Sequence, residues 1–312
     1  MTLRTPFKPA ARRLVLLLGL LAAQAHAATS ILFVGNSFTF GARSAVQFYK
    51  PEAITDLDHY GFGGIGALFQ RFADQTGLDY RVFTKTEAGA GLDWHLKNKT
   101  ALISGRRWDQ VVLQSYSTLD ADKPGDPDKL VASAKAMAEM VRRRNPRAGI
   151  YLLATWPRAD QVYQPTGAWY GKTLSHMADE ISRGYEMAAA AGQADAQVIP
   201  VGQGWMRAMR KGVADDNPYD GIDAGKVDLW GYDHYHASAY GSYLEALIVF
   251  GKVTGLDPHV LGSEECSSIE LGFSSEQTSQ LQDVAAEILL ETSGKPLSTR
   301  TGKPRWQCRY NR

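Results

Sequence analysis

Cysteine is nearly absent: the 312 residues contain two, Cys266 and Cys308. Both lie in the C-terminal region, too few and too far apart for a cysteine metal site, and in an oxidising compartment the pair reads as one disulfide. A membrane-spanning run is missing as well. The apolar stretch at 14–23 is too short to cross a bilayer. It follows Arg4, Lys8, Arg12 and Arg13 and precedes Ala25-His26-Ala27, so residues 1–27 read as a secretory signal peptide. The expectation is a soluble exported protein beginning near Ala28, periplasmic or extracellular, with no stable membrane anchor.

Excess positive charge is lacking too. The leader takes four of the 34 Lys plus Arg and none of the 33 Asp plus Glu, which leaves 30 against 33, a net charge of about −3. That gives no polyanion footprint and argues against nucleic acid as a partner. There is no internal repeat, low-complexity tract or long linker, so residues 28–312 are expected to form a single domain with a peripheral tail from about residue 293.

What is present is strand alternating with helix. Residue types predict strands at 31–34, 109–114, 149–154 and 197–201, and a weaker one at 80–84. Between them Asp126-Pro127 opens a helix with Leu130, Ala134, Met137 and Val141 on one face and Arg142-Arg143-Arg144 at its end. A second helix spans about 172–190, and Ser274 with Gln277 forms a capping box ahead of a third. Five such alternations predict a three-layer α/β/α fold around a roughly five-stranded parallel sheet, with right-handed connections.

Two stretches carry chemistry. Ile31-Leu32-Phe33-Val34 ends in Gly35-Asn36-Ser37, which places Ser37 at the carboxyl end of a buried strand, where open α/β sheets put their active sites. Alternatively, the same turn is an ordinary strand-to-helix connection with a capping serine. Two hundred residues on, Asp233 and His236 lie three apart, so the carboxylate can fix the imidazole's tautomer and leave its other nitrogen to take a proton. His234 and His236 beside Asp233 also admit a zinc reading, although no further ligand is evident. The acidic run 215–223 fails the EF-hand pattern: with Gly221 as the turn glycine, the third and twelfth positions are Pro218 and Val227. A Gly-x-Ser-x-Gly elbow is excluded because Thr39 stands at its last place.

Together, Gly35-Asn36-Ser37 near one end and Asp233-x-x-His236, followed by Ala237-Ser238-Ala239-Tyr240-Gly241, near the other resemble the SGNH (GDSL-like) hydrolase superfamily, whose first block is usually a Gly-Asp-Ser variant. The resemblance implies a flavodoxin-like α/β/α fold, with Ser37 as nucleophile, His236 as general base and then acid, and Asp233 as the orienting carboxylate. It implies no metal or organic cofactor. It also implies an oxyanion hole from the backbone N–H of Ser37, a glycine N–H after the second strand, and an asparagine side chain after the third. Gly89, in preference to Gly91, falls at the glycine position. The asparagine is missing from Leu113-Gln114-Ser115-Tyr116-Ser117, and Gln114 is expected to supply the amide in its place.

Seven tryptophans and fourteen tyrosines add candidate stacking faces for sugar. Trp156, Trp169 and Tyr170, in the long loop after the fourth strand, are the expected substrate-binding rings, with core packing as the alternative. Segments 87–92, 114–119, 156–171 and 228–238 are rich in Gly, Ser, Thr, Tyr, Trp and Asp and poor in aliphatic residues. Such a lining suits a short acyl group on a polar alcohol, so the expected activity is hydrolysis of a short-chain ester, an O-acetyl group on a carbohydrate. The alternatives are acyl transfer to a glycan, or glycan binding with little turnover.

Overall fold

A computed structural model of the chain describes residues 1–2, 28–192 and 196–305. Residues 3–27, most of the expected leader, and Cys308 lie outside them. Six strands, β1 (Thr29–Gly35), β2 (Thr55–Asp56), β3 (Tyr80–Thr86), β4 (Gln110–Leu113), β5 (Gly149–Ala154) and β6 (Ala196–Pro200), form one sheet in the order β2-β3-β1-β4-β5-β6. Every pairing is parallel. The sixth strand, absent from the sequence expectation, is β2, a two-residue edge too short to show any periodicity.

β1 lies inside the sheet between β3 and β4, and Ile31, Leu32, Phe33 and Val34 are fully buried. Burial on both faces is why the strand reads as an unbroken apolar run. The helices are α1 (Gly64–Gln75), α2 (Leu92–Asn98), α3 (Thr100–Ser104), α4 (Asp128–Arg144), α5 (Ala159–Tyr163), α6 (Leu174–Ala191), α7 (Val201–Arg210), α8 (Ala239–Thr254), α9 (Cys266–Glu270) and α10 (Ser275–Ser293). α1, α7, α8 and α10 pack together, and α4 packs on α2 and α6. These groups flank the sheet.

Local chemistry sets the helix ends. Arg142, Arg143 and Arg144 fill the last turn of α4, where cations oppose the negative end of the helix dipole. The capping box of Ser274 and Gln277 starts α10. Ser238 caps α8 by accepting a hydrogen bond from Gly241 N–H at 3.2 Å, which fixes where the chain leaves the Asp233–His236 loop. Beyond α10 the tail lies along the surface: Ser298 exchanges backbone hydrogen bonds with Gly255 and Asp257, and Arg305 N–H donates to Asp74 O at 2.8 Å. Cys266 is buried and disulfide-bonded. Among the described residues no helix is long and apolar enough to cross a membrane.

Candidate active site

The chain turns sharply after β1, and Gly35 makes the turn possible: a Cβ there would lie 2.1 Å from Thr39 Oγ1 and 2.6 Å from Gln114 Oε1. Asn36 then acts as a hub. Its Nδ2 donates to Ala90 O (2.9 Å) and Ser115 O (3.2 Å), and its Oδ1 accepts from Phe38 N–H at 3.1 Å. The turn that carries Ser37 is thereby tied to the loops leaving both neighbouring strands, β3 and β4. Behind it, Gly35 O accepts from Glu87 N–H (3.1 Å) and from Nε2 of His95 (2.9 Å).

His95 is completely buried, as is Lys85, which is ion-paired with Asp58. Burial, aided by the Lys85 charge, lowers the His95 pKa to about 4 against the opposing effect of its bond to Gly35. His95 is thus a neutral imidazole with its proton on Nε2, since a carbonyl can only accept. Sequence reasoning missed it, because one histidine on a short helix carries no signal of its own.

Ser37 sits at the mouth of this turn, 7% exposed. Its carbonyl accepts from Ala42 N–H at 2.9 Å, while its own N–H has no hydrogen-bond partner among the described residues. The N–H of Gly89 is likewise unpaired, and Gly89 takes a φ of 68° in a turn closed by Ala90 N–H to Glu87 O at 3.2 Å.

The loop of Asp233 and His236 is equally constrained. Trp230 and Ala237 form an antiparallel bridge, Gly231 N–H donates to His236 O at 2.7 Å, and His234 adopts a left-handed φ of 53°. Inside this loop Asp233 Oδ1 accepts from the N–H groups of Tyr235 (3.1 Å) and His236 (2.9 Å), and Oδ2 lies 2.7 Å from His236 Nδ1. Partial burial would raise the Asp233 pKa, but the His236 ring and these backbone donors outweigh it and hold the carboxyl below its ordinary value. An ionised Asp233 keeps the proton of His236 on Nδ1 and leaves Nε2 as the free base.

Arg43, on the chain just after the nucleophile turn, places Nε 3.3 Å from Asp233 Oδ2 and donates from Nη1 to Tyr232 Oη at 2.6 Å. This tie between the two loops was not visible in the sequence. His234 turns away, packing on Tyr219 with ring centroids 4.3 Å apart. Among the described residues no group of three His, Cys, Asp or Glu side chains is arranged to hold a metal ion.

Aromatic packing joins the two ends of the chain. Phe38 stacks on Trp156 (4.1 Å, 8°) and meets the His236 ring edge-on at 5.7 Å, and Trp156 stacks in turn on Trp205 (4.8 Å, 5°). Trp156 Nε1 donates to Tyr235 O at 3.2 Å and Trp230 Nε1 to Pro157 O at 3.1 Å. Ser37 and His236 are thus carried by adjoining, packed segments. They share no hydrogen bond in this structure, and such contacts in free enzymes often close only when substrate is bound.

Three expectations are corrected here. Gln114 is fully buried; its Oε1 accepts from Asn36 N–H (2.8 Å) and Thr39 Oγ1 (2.9 Å) and one Nε2–H goes to Ser115 O, so the amide is held inside the turn as a brace and does not line the neighbouring cleft. Trp156 is fully buried, a wall of the site's scaffold with no face for a sugar. Trp169 is 4% exposed, with Nε1 bonded to Glu180. Of the three expected rings only Tyr170 is exposed, at 56%.

Beside the Gly35–Ser37 turn lies a cleft of about 260 Å³, lined by Asn36, Gly89, Ser117, Arg158 and Tyr235 among others. Larger clefts, of about 640 and 690 Å³, lie at the β6 side and the β2–β3 side of the sheet. None of the three is lined by Ser37, Asp233 or His236, but the smaller one is lined by Asn36 and Tyr235, the chain neighbours of Ser37 and His236.

No family model and no curated protein matches the chain. Solved structures do. A DUF4886 family protein from Bacteroides uniformis superposes with a TM-score of 0.57 at 17% identity, covering 88% of this chain and 99% of its own. A putative GDSL-like lipase from Parabacteroides merdae gives 0.52 at 16% identity over 73% of this chain and 96% of its own. An acetylxylan esterase from Geobacillus stearothermophilus gives 0.48 at 13% identity over 80% and 96%. Identities this low speak for the fold alone, and that fold is the α/β architecture of the SGNH, or GDSL-like, hydrolases.

Proposed function

We propose that the protein is a serine esterase that cleaves short-chain esters through an acyl-enzyme on Ser37. The observation that carries this reading is the Asp233–His236 pair, bonded at 2.7 Å and packed through Phe38 against the turn that presents Ser37. His236 Nε2 takes the Ser37 proton as Oγ adds to the ester carbonyl, and the resulting imidazolium is stabilised by Asp233. The same proton then goes to the departing alcohol. Water, deprotonated by His236, releases the acid in the second half-reaction. The free N–H groups of Ser37 and Gly89 are the hole's backbone donors.

The polar lining and small volume of the adjoining cleft favour a short acyl group on a polar alcohol, such as an O-acetyl group on a carbohydrate. Export with removal of residues 1–27 belongs to the same proposal, and N-terminal sequencing of the secreted protein is expected to begin at Ala28. The activity is tested with aryl acetate, butyrate and octanoate esters and with acetylated oligosaccharides, using wild type, Ser37→Ala, His236→Ala and the double variant. Each single variant is expected to lose nearly all turnover and the double variant little more, because the two residues share one proton transfer. Full activity in Ser37→Ala refutes the mechanism. A kcat/KM that climbs steadily with acyl length refutes the substrate class.

A further inference from the structure

The displacement of Gln114 into the scaffold leaves the oxyanion hole one side-chain donor short. We propose that Ser117 Oγ–H is that donor and that Arg158 positions it, an inference that rests on the serine-esterase reading. The strand order β3-β1-β4 places the loop of Gly89 on one side of Ser37 and the loop of Ser117 on the other. Both line the 260 Å³ cleft, together with Asn36 and Arg158.

Hydrogen-bond accounting selects Ser117 from the cleft's side chains. Asn36 Nδ2 is spent on Ala90 O and Ser115 O, Thr118 Oγ1 donates to Asp120 O at 2.8 Å, and Gln161, on α5 and outside the β3 and β4 loops, has its amide held by Asp160 (3.0 Å) and by Ala168 N–H (3.1 Å). Tyr116 is engaged by Asp93 and the Gly91 backbone. Ser117 Oγ accepts from Arg158 Nη1 at 3.3 Å, but its own proton has no acceptor among the described residues. With a lone pair turned to Arg158, the hydroxyl hydrogen must point elsewhere.

Arg158 cannot easily swing away. Asp160 holds its Nε at 2.9 Å and its Nη2 at 2.5 Å, and the guanidinium lies 3.7 Å from the centroid of the Tyr235 ring. Tyr235, the cleft's other free hydroxyl, belongs to the loop of His236, the side on which the proton is taken. The oxyanion has to form away from the base, toward the β3 and β4 loops. As Ser37 Oγ bonds to the carbonyl carbon, the carbonyl π pair moves onto oxygen and the serine proton moves to His236. The oxyanion then receives hydrogen bonds from Ser37 N–H, Gly89 N–H and Ser117 Oγ–H, none of which gives up its proton.

The test measures kcat and KM on an aryl acetate, and the rate at which a small fluorophosphonate labels Ser37, followed by mass spectrometry. Ser117→Ala is expected to lower kcat about a hundredfold and to slow labelling in parallel, with KM changed less than about threefold. Ser117→Thr, which keeps the hydroxyl, is expected to retain more than about a tenth of kcat. Arg158→Ala is expected to lower kcat, while adding it to Ser117→Ala costs little more, because Arg158 acts through Ser117. A Ser117→Ala enzyme within about threefold of wild type, alongside an inactive Ser37→Ala, overturns the inference and leaves the esterase reading standing. A loss in Arg158→Ala confined to esters that carry a carboxylate overturns its positioning role and makes it a substrate anchor. Wild type that neither turns over the ester nor is labelled at Ser37 overturns the esterase reading itself.

Discussion

His95 makes the turn after β1 acid-sensitive by an amount the structure lets us work out. Its ring is fully buried, bonded through Nε2 to Gly35 O, and its pKa is pushed down to about 4 from an ordinary 6.5, mainly by burial. Because the folded pKa lies below the unfolded one, the unfolded chain binds more protons between them. The His95 contribution is therefore complete above the unfolded value and is lost as pH falls from about 6.5 toward about 4. Carried through the linkage, that depression corresponds to roughly 3 kcal/mol, most of it gone at about pH 4.5. Urea unfolding followed by tryptophan fluorescence at about pH 7 and about pH 4.5, in wild type and His95→Gln, isolates the effect from other titrating groups. Glutamine keeps a donor for Gly35 O but has no proton to gain, so its drop in stability over the interval is expected to be smaller by about 2 kcal/mol. Equal drops in the two proteins would refute the assignment of His95 as a buried neutral imidazole.

Other perturbations separate scaffold from chemistry. Gln114→Leu strands the buried Asn36 N–H and Thr39 hydroxyl and is expected to cost about 2–4 kcal/mol in urea unfolding; unchanged stability with a large fall in kcat would restore Gln114 as an oxyanion donor. Trp156→Ala removes the central ring of the Phe38–Trp156–Trp205 stack, at an expected cost of about 3–5 kcal/mol. It is expected to lower kcat/KM for a glycan acetate and an aryl acetate by the same factor, whereas a selective loss of glycan turnover would identify the ring as a sugar platform after all.

Much of the fold was legible because burial writes a plain pattern. Ile31–Val34, Val111–Leu113 and Ile150–Leu153 are apolar at every position because both faces of the sheet are covered, and the caps at Ser238 and Ser274 lie where hydroxyl side chains precede helical spacing. β2 escaped because two residues have no period. α1 escaped because it begins at Gly63-Gly64-Ile65-Gly66, glycines that count against a helix in sequence but allow close packing in the structure: a Cβ on Gly64 would lie 2.5 Å from Thr39 O. In the site, Asp233 and His236 were readable since their pairing is local, three residues apart in one turn of chain. Gln114 was expected to face the site, and Trp156, placed in the loop after the fourth strand, to stack on sugar with core packing as the alternative; both are buried, because which way a side chain points just past a strand is decided by neighbours distant in sequence.

Asn36 shows how far such neighbours reshape a motif. In the resembling family this place is usually aspartate, whose ionised side chain can only accept hydrogen bonds. Here the side chain faces two carbonyl oxygens, Ala90 O at 2.9 Å and Ser115 O at 3.2 Å, which require a donor, while Phe38 N–H at 3.1 Å requires an acceptor. Only an amide meets both demands in so small a space. An aspartate would set negative charge against two buried carbonyl dipoles, on the turn that carries Ser37. Gln114 performs the matching task from below, accepting from Asn36 N–H and Thr39 and donating to Ser115 O, so two amides share one network beneath Ser37. Asn36 and Gln114 are therefore linked choices: each amide fits only because the other is there. Together they turn polar groups at the ends of β1 and β4 into bracing, and on the esterase reading proposed above the third oxyanion donor would then be sought at the next hydroxyl along the β4 loop, Ser117.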